Sequence, residues 1–250
     1  MKNRITENRK MFVPGTLGLS ALLCGALAAT VVQAEPMSGR GTWETTLQGR
    51  DLDGDASNGV EAFYDTTRNI TWLRAASASI IYDWANAKTW AEGDRYGLSG
   101  WRLPTMVDTE TVGYNFGETD SGYNVDTVTS EMAYLYYVTL GNLAYCPPVP
   151  DCAASGPQVG WDLLNTGGFE NLIRDRYWSG QELSLDYAWY FDNYDGNQGV
   201  RGKGQGAYAL AVRAGDVTAA IPEPEIYAMM GIGLGLLGWV GRRRKQQAAA

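Results

Sequence analysis

The sequence predicts an α+β fold on an exported chain. Two stretches place apolar residues at helical spacing. Several shorter stretches alternate as strands do, two pairs of them around turn residues. The composition, 31 Gly, 9 Trp and 15 Tyr in 250 residues, suits a loop-rich, strand-rich globule better than a helical bundle. An apolar run with basic residues stands at each end, so a signal helix and a C-terminal transmembrane helix are expected beside the folded body.

The first end reads as an export signal over 1–34. Lys2, Arg4, Arg9 and Lys10 precede an apolar run over about 17–32, and Val32-Gln33-Ala34 closes it with Ala34 at the signal-peptidase position. Leu23 before Cys24 argues against lipidation. At the other end, sixteen uncharged residues, 226–241, run between Ile221-Pro222-Glu223-Pro224-Glu225 and Arg242-Arg243-Arg244-Lys245. As a helix the run spans about 24 Å. That is short of a ~30 Å hydrocarbon core. The basic cluster would stay cytoplasmic and leave the preceding domain outside. Pro222-Glu223-Pro224, the short Gly-rich span and Arg242, Arg243 and Arg244 together resemble the PEP-CTERM sorting signal. The resemblance implies an exosortase that cuts near Pro-Glu-Pro, a Gram-negative producer of extracellular polysaccharide, and a mature chain without 226–250. The expected division is 1–34 signal peptide, 35–221 exported domain and 222–250 sorting signal.

Within the domain, a strand is expected over 43–47, then an acidic turn over 51–59. Ala62 and Tyr64, then Ile70 and Trp72, alternate about Asp65-Thr66-Thr67-Arg68-Asn69 as a hairpin. A helix follows over 82–93, with Ile80, Trp84, Ala87 and Ala91 on one stripe and Gly93 at its stop. Thr105 and Asp108 suggest a capping box opening a short helix. A second helix near 130–140 places Met132, Leu135, Tyr136, Thr139 and Leu140 on one face, with Gly141 as its cap. Strands are expected at 176–179, at 187–194 and 198–203 about an Asp195-Gly196 turn, and at 207–213.

The ends mask the domain's charge. The whole chain carries 20 basic and 28 acidic residues, a formal −8. Removing four basic and one acidic residue before Glu35, and four basic and two acidic after Ile221, leaves 12 basic and 25 acidic, a formal −13. Such a surface repels anionic polymers and excludes nucleic acid as a partner. The chain has no His, which excludes a Ser-His-Asp triad, an HExxH zinc site and an imidazole base. Cys146 and Cys152 bound a Pro-rich loop in an oxidising compartment, so a disulfide is expected.

Four segments resemble the Lcl C-terminal domain family, found in bacterial surface and secreted proteins. They are Tyr64-Asp65-Thr66-Thr67-Arg68-Asn69-Ile70-Thr71-Trp72-Leu73, Ser99-Gly100-Trp101-Arg102-Leu103-Pro104-Thr105, Tyr177-Trp178-Ser179 and Tyr208-Ala209-Leu210-Ala211-Val212-Arg213. The resemblance spans about 60–216. It implies a C-type-lectin-like or formylglycine-generating-enzyme-like core, with a twisted antiparallel sheet, two helices and long loops. Trp72, Gly100, Trp101, Arg102, Leu103, Pro104, Trp178 and Arg213 carry the family pattern and read first as structure. Trp101, Trp178 and Trp189 each need one partner for the indole N–H, and Arg102 suits a buried carboxylate or backbone carbonyls.

Among chemical candidates, Asp51, Asp53 and Asp55 alternate, so their carboxylates can converge on Ca²⁺. An EF-hand loop would want Gly where Ala56 stands and Glu where Ala62 stands, so only a looser calcium loop remains. Trp189-Tyr190-Phe191-Asp192-Asn193 is a faint echo of lectin sugar sites, and no sugar site is assigned. The reactive cysteines of the formylglycine-generating relatives are not matched, because both domain cysteines share one loop. The expectation is a non-enzymatic, adhesin-like module in biofilm or exopolysaccharide, meeting signal peptidase, an exosortase-type enzyme, the membrane, polysaccharide or surface proteins. The competing expectation is an enzyme on extracellular polysaccharide using paired carboxylates.

Overall fold

The computed structural model describes residues 34–77, 80–111, 114–115, 120–148 and 156–217. The signal segment before Ala34, Cys152, and the tail with Pro222, Glu223, Pro224, Arg242, Arg243 and Arg244 lie outside the described residues. So does the expected C-terminal transmembrane helix; among the described residues no helix is long and apolar enough to cross a membrane.

Where a strand is predicted over 43–47, the chain makes one helical turn, α1 (Trp43–Thr46), and only then β1 (Leu47–Arg50). The Thr42 carbonyl accepts the amides and hydroxyls of both Thr45 and Thr46, and such back-bonding closes a turn that β propensity alone would leave extended. The predicted hairpin forms as β2 (Ala62–Asp65) and β3 (Ile70–Leu73). Buried Asp65 organises its turn, its Oδ1 accepting the amides of Thr67 at 2.9 Å and Arg68 at 3.1 Å, while Asn69 takes the left-handed region at φ 51°.

Helix α2 (Trp84–Glu92) is capped by Asp83, which accepts the Asn86 amide at 2.8 Å, and buries Trp84, Ala87 and Ala91. Ile80, placed on that stripe from spacing, is 54% exposed, because the helix starts after it. Next comes β4 (Trp101–Arg102). The helix expected from Thr105 and Asp108 does not form: the Thr105 amide is committed to Glu131 Oε2 at 2.7 Å, and Met106 pairs with Ser130. Two short strands follow, β5 (Tyr114–Asn115) and β6 (Ser121–Tyr123). The second predicted helix is α3 (Glu131–Ala133), capped by Ser130 and continuing as a π-helical turn over Tyr134–Thr139. Met132, Leu135, Tyr136, Thr139 and Leu140 are buried, as their spacing predicts. Gly141 ends it at φ 67°, so close to the Gly41 backbone that a Cβ there would lie 2.5 Å from the Gly41 nitrogen.

The last strands are β7 (Arg176–Glu182), β8 (Tyr187–Asp192), β9 (Asn197–Gly202) and β10 (Val212–Ala214). Because Asp192 pairs with Asn197, the β8–β9 turn holds four residues, 193–196, not the two predicted. One sheet is predicted; among the described residues two five-stranded sheets are found. The first runs β1-β2-β3-β10-β4 with every pair antiparallel; the second runs β5-β6-β9-β8-β7, with β5 parallel to β6 and the rest antiparallel. Strand β7 bulges between Trp178 and Glu182, and there the Gly180 amide turns to Pro104 O at 2.8 Å. Two apolar clusters draw on both sheets. One holds Trp72, Tyr136, Tyr177 and Phe191; the other holds Trp84, Trp101, Leu103 and Trp178. Cys146 is buried and disulfide-bonded.

Candidate functional site

The family-pattern residues meet around β10 and β4, with Trp72, Trp101, Leu103, Pro104 and Trp178 buried, Arg102 and Arg213 half-buried and Gly100 exposed. Val212 on β10 stands opposite Trp72 on one side and Arg102 on the other, and Arg213 stands opposite Trp101. Gly100 takes φ 84°, a left-handed conformation that side chains disfavour, and Arg213 Nε donates across it to Ser99 O at 2.7 Å. Arg102 donates from both terminal nitrogens to Glu131, at 2.7 and 2.8 Å, and to Leu103 O at 3.1 Å. Pro104 O accepts the Ser179 hydroxyl at 3.1 Å besides the Gly180 amide. The indole N–H of Trp178 reaches Tyr82 O at 2.9 Å, and that of Trp189 reaches Asp108 at 3.3 Å. Trp101, expected to find a partner, has none among the described residues, and neither does Trp72. The hydrogen bonds of this group form a brace between β4, β7 and the second helix.

The acidic loop behaves otherwise. Asp51, Asp53 and Glu61 bring carboxylate oxygens within 4.8 Å of one another. Asp55 does not join them: its Oδ1 accepts the amide of Ser57 at 3.0 Å and its hydroxyl at 2.6 Å. Hydrogen bonds to Ser57 hold the Asp55 carboxyl below its usual range. The grouped acids are themselves anchored by amides. Asp51 accepts from Gly54 at 2.7 Å, Asp53 from Asp55 at 2.9 Å and Glu61 from Leu52 at 2.7 Å. Asp53 also accepts the Asn58 side-chain amide on its other oxygen at 2.9 Å. The trio offers hard oxygen ligands of the kind Ca²⁺ takes, though fewer than a full calcium shell.

Beside the trio opens a cleft of about 510 Å³, lined by Asp53, Asn58, Glu61, Arg74, Tyr96 and Glu170 among others. Arg74 frames it, donating to Val60 O at 3.1 Å and Gly168 O at 3.3 Å while pairing with Glu170 at 3.0 Å. Arg95 closes the end of α2, giving hydrogen bonds to the carbonyls of Trp90, Ala91 and Gly93, and stacks over Trp90. Tyr96 is 44% exposed and stands at φ 54°. Burial, then the charges of Glu61 and Asp53, push its hydroxyl up, so it stays a hydrogen-bond donor at neutral pH. Spacing did not single out Arg74, Arg95, Tyr96 or Glu170. The sequence signals that existed were Tyr96-Gly97, a turn pair, and Glu61, one place early for a calcium loop.

Ala34, the expected signal-peptidase position, is folded in. Ala34 packs on the first apolar cluster and its carbonyl accepts the Thr166 hydroxyl at 3.2 Å, while Glu35 pairs with Asn165. On the second sheet, burial pushes the Asp192 carboxyl up to about 6, and burial also raises that of Asp195. Asp192 pairs with Arg176 at 3.2 Å and accepts the Tyr194 amide at 3.0 Å.

Compared with known families, residues 61–213 match the Lcl C-terminal domain and residues 220–245 match the PEP-CTERM protein-sorting motif. No curated protein matches the chain.

Proposed function

The chain belongs to the Lcl C-terminal domain family, and from that premise we propose that its folded domain is a non-enzymatic interaction module of the cell surface or extracellular matrix. The PEP-CTERM motif marks an exported, exosortase-sorted protein, which sets the compartment. The observation that carries the reading is the cleft. Asp53 and Glu61 are tied to loop amides, Glu170 to Arg74, and the arginines to backbone carbonyls, so the cleft presents a pre-formed, mixed-charge surface for a hydroxyl-rich or otherwise polar ligand. Calcium held by Asp51, Asp53 and Glu61 would add a Lewis-acidic edge to that surface. The family reading also relates the domain to C-type-lectin-like folds, which by themselves decide no ligand.

A second reading is an enzyme on extracellular polysaccharide. It is favoured by the raised Asp192 beside Asp195, since a carboxyl held protonated toward neutrality can act as a general acid. Glycan arrays and hydrolysis assays on the exported protein separate the two. The module reading expects binding without turnover. Turnover abolished by Asp192→Asn alone would overturn it.

A further inference from the structure

On the loops around the β8–β9 turn, three aromatic rings form a row. Trp161 lies 4.8 Å from Tyr145 and 5.1 Å from Tyr194 between ring centroids, at interplanar angles of 78° and 73°. Tyr145 and Trp161 are half-buried and Tyr194 is 42% exposed, so the row borders solvent. Its polar surroundings are fixed. The Arg174 guanidinium lies 5.0 Å over the Tyr194 ring and is clamped by Asp162, its Nε donating at 2.6 Å. Asp162 stands at φ 110°, a strained region for a residue with a side chain, and strain of this kind is kept where the surroundings over-determine it. Tyr145 is tied by its amide to Asp195 O at 2.7 Å, and Tyr194 by its amide to Asp192.

We infer that the Tyr145–Trp161–Tyr194 row is a stacking platform for a neutral polysaccharide. The polarised C–H bonds of a pyranose ring complement the negative face of an aromatic ring, and Arg174, Asp162 and Asp195 supply donors and acceptors for hydroxyls. Trp, Tyr and Arg are the residues that dominate binding surfaces, and here they are held rigid before any ligand arrives. Charge selects the neutral polymer: the domain's formal −13 repels polyanions, and Arg174 is already neutralised by Asp162. The row shares no residue with the cleft lining named above.

Affinity electrophoresis of the full exported protein tests it, in native gels containing hydroxyethylcellulose, xylan or mannan, with alginate as the anionic arm. At least one neutral polymer is expected to retard the protein, and Trp161→Ala and Tyr194→Ala each to weaken that retardation by about tenfold or more. Tyr194→Phe keeps the ring and should keep binding. Retardation by alginate alone, by no polymer, or equally in Tyr194→Ala would overturn the inference.

Discussion

Glu131 receives both terminal guanidinium nitrogens of Arg102 and also the Thr105 amide, so one buried carboxylate joins the β4 segment to the start of the second helix. The pair spans 29 residues of sequence, and Glu131 is only 7% exposed. Removing one partner of such a pair leaves the other desolvated and uncompensated. Glu131→Ala is expected to lower unfolding stability by about 3 kcal/mol. Arg102→Lys should lose much of this too, since an ammonium cannot make the two-pronged contact. Urea denaturation measures both, and a loss below about 1 kcal/mol in Glu131→Ala would place the pair among ordinary surface ion pairs.

Asp192 predicts a pH effect whose sign runs against the usual carboxylate. Its folded pKa, about 6, lies above the usual aspartate value of 3.8, because burial outweighs the Tyr194 amide and Arg176, and the nearby Asp195 and Asp175 charges add to the rise. The native state therefore holds the proton more tightly than the unfolded chain. Its contribution to stability is present below about pH 4 and is lost as pH rises through about 6. Asp192→Asn lacks this loss, so its stability relative to the parent should climb between those pH values. Parallel melts at pH 4, 5, 6 and 7 check it; a constant difference would contradict the assignment.

Calcium is expected to raise the melting temperature of the exported protein, with stabilisation of about 2.7 kcal/mol at a hundredfold excess over Kd. Asp53→Asn and Glu61→Gln should abolish the rise. Asp55→Asn should not, because its side chain is turned to Ser57. Identical melts in calcium and in chelator would remove the trio as a cation site.

Signal cleavage after Ala34 should require an unfolded chain. The Ala34 carbonyl is engaged by Thr166 and the following residues are paired to Asn165, so a folded precursor withholds the scissile bond. Purified, folded precursor is expected to resist signal peptidase, and the same precursor diluted from urea to be cut. Equal cleavage of both would show that this segment opens freely.

Elements governed by near neighbours were readable. The β2–β3 hairpin followed from alternation and from Asp65 and Asn69 in the turn. The buried face of the second helix followed from its spacing even though the backbone there is largely π-helical, because burial depends on which side chains share a side. Misreadings arose where a distant group claimed a local donor. Glu131 took the Thr105 amide that a helix start would have used. The Asp192–Asn197 pairing lengthened a turn that Asp195-Gly196 alone would have made shorter.

The sequence by itself determined the sorting motif of this protein and the character of its body: an acidic α+β domain ahead of a PEP-CTERM motif, without imidazole chemistry. These depend on composition and on patterns within one turn or one strand. Only the tertiary structure decided which groups meet. It put Glu61 rather than Asp55 beside Asp51 and Asp53, gave Arg102 its carboxylate, and lined up Tyr145, Trp161 and Tyr194 from separate loops. The reason is physical: where a side chain points depends on which backbone donors have already been taken, and contacts far apart in the chain settle that.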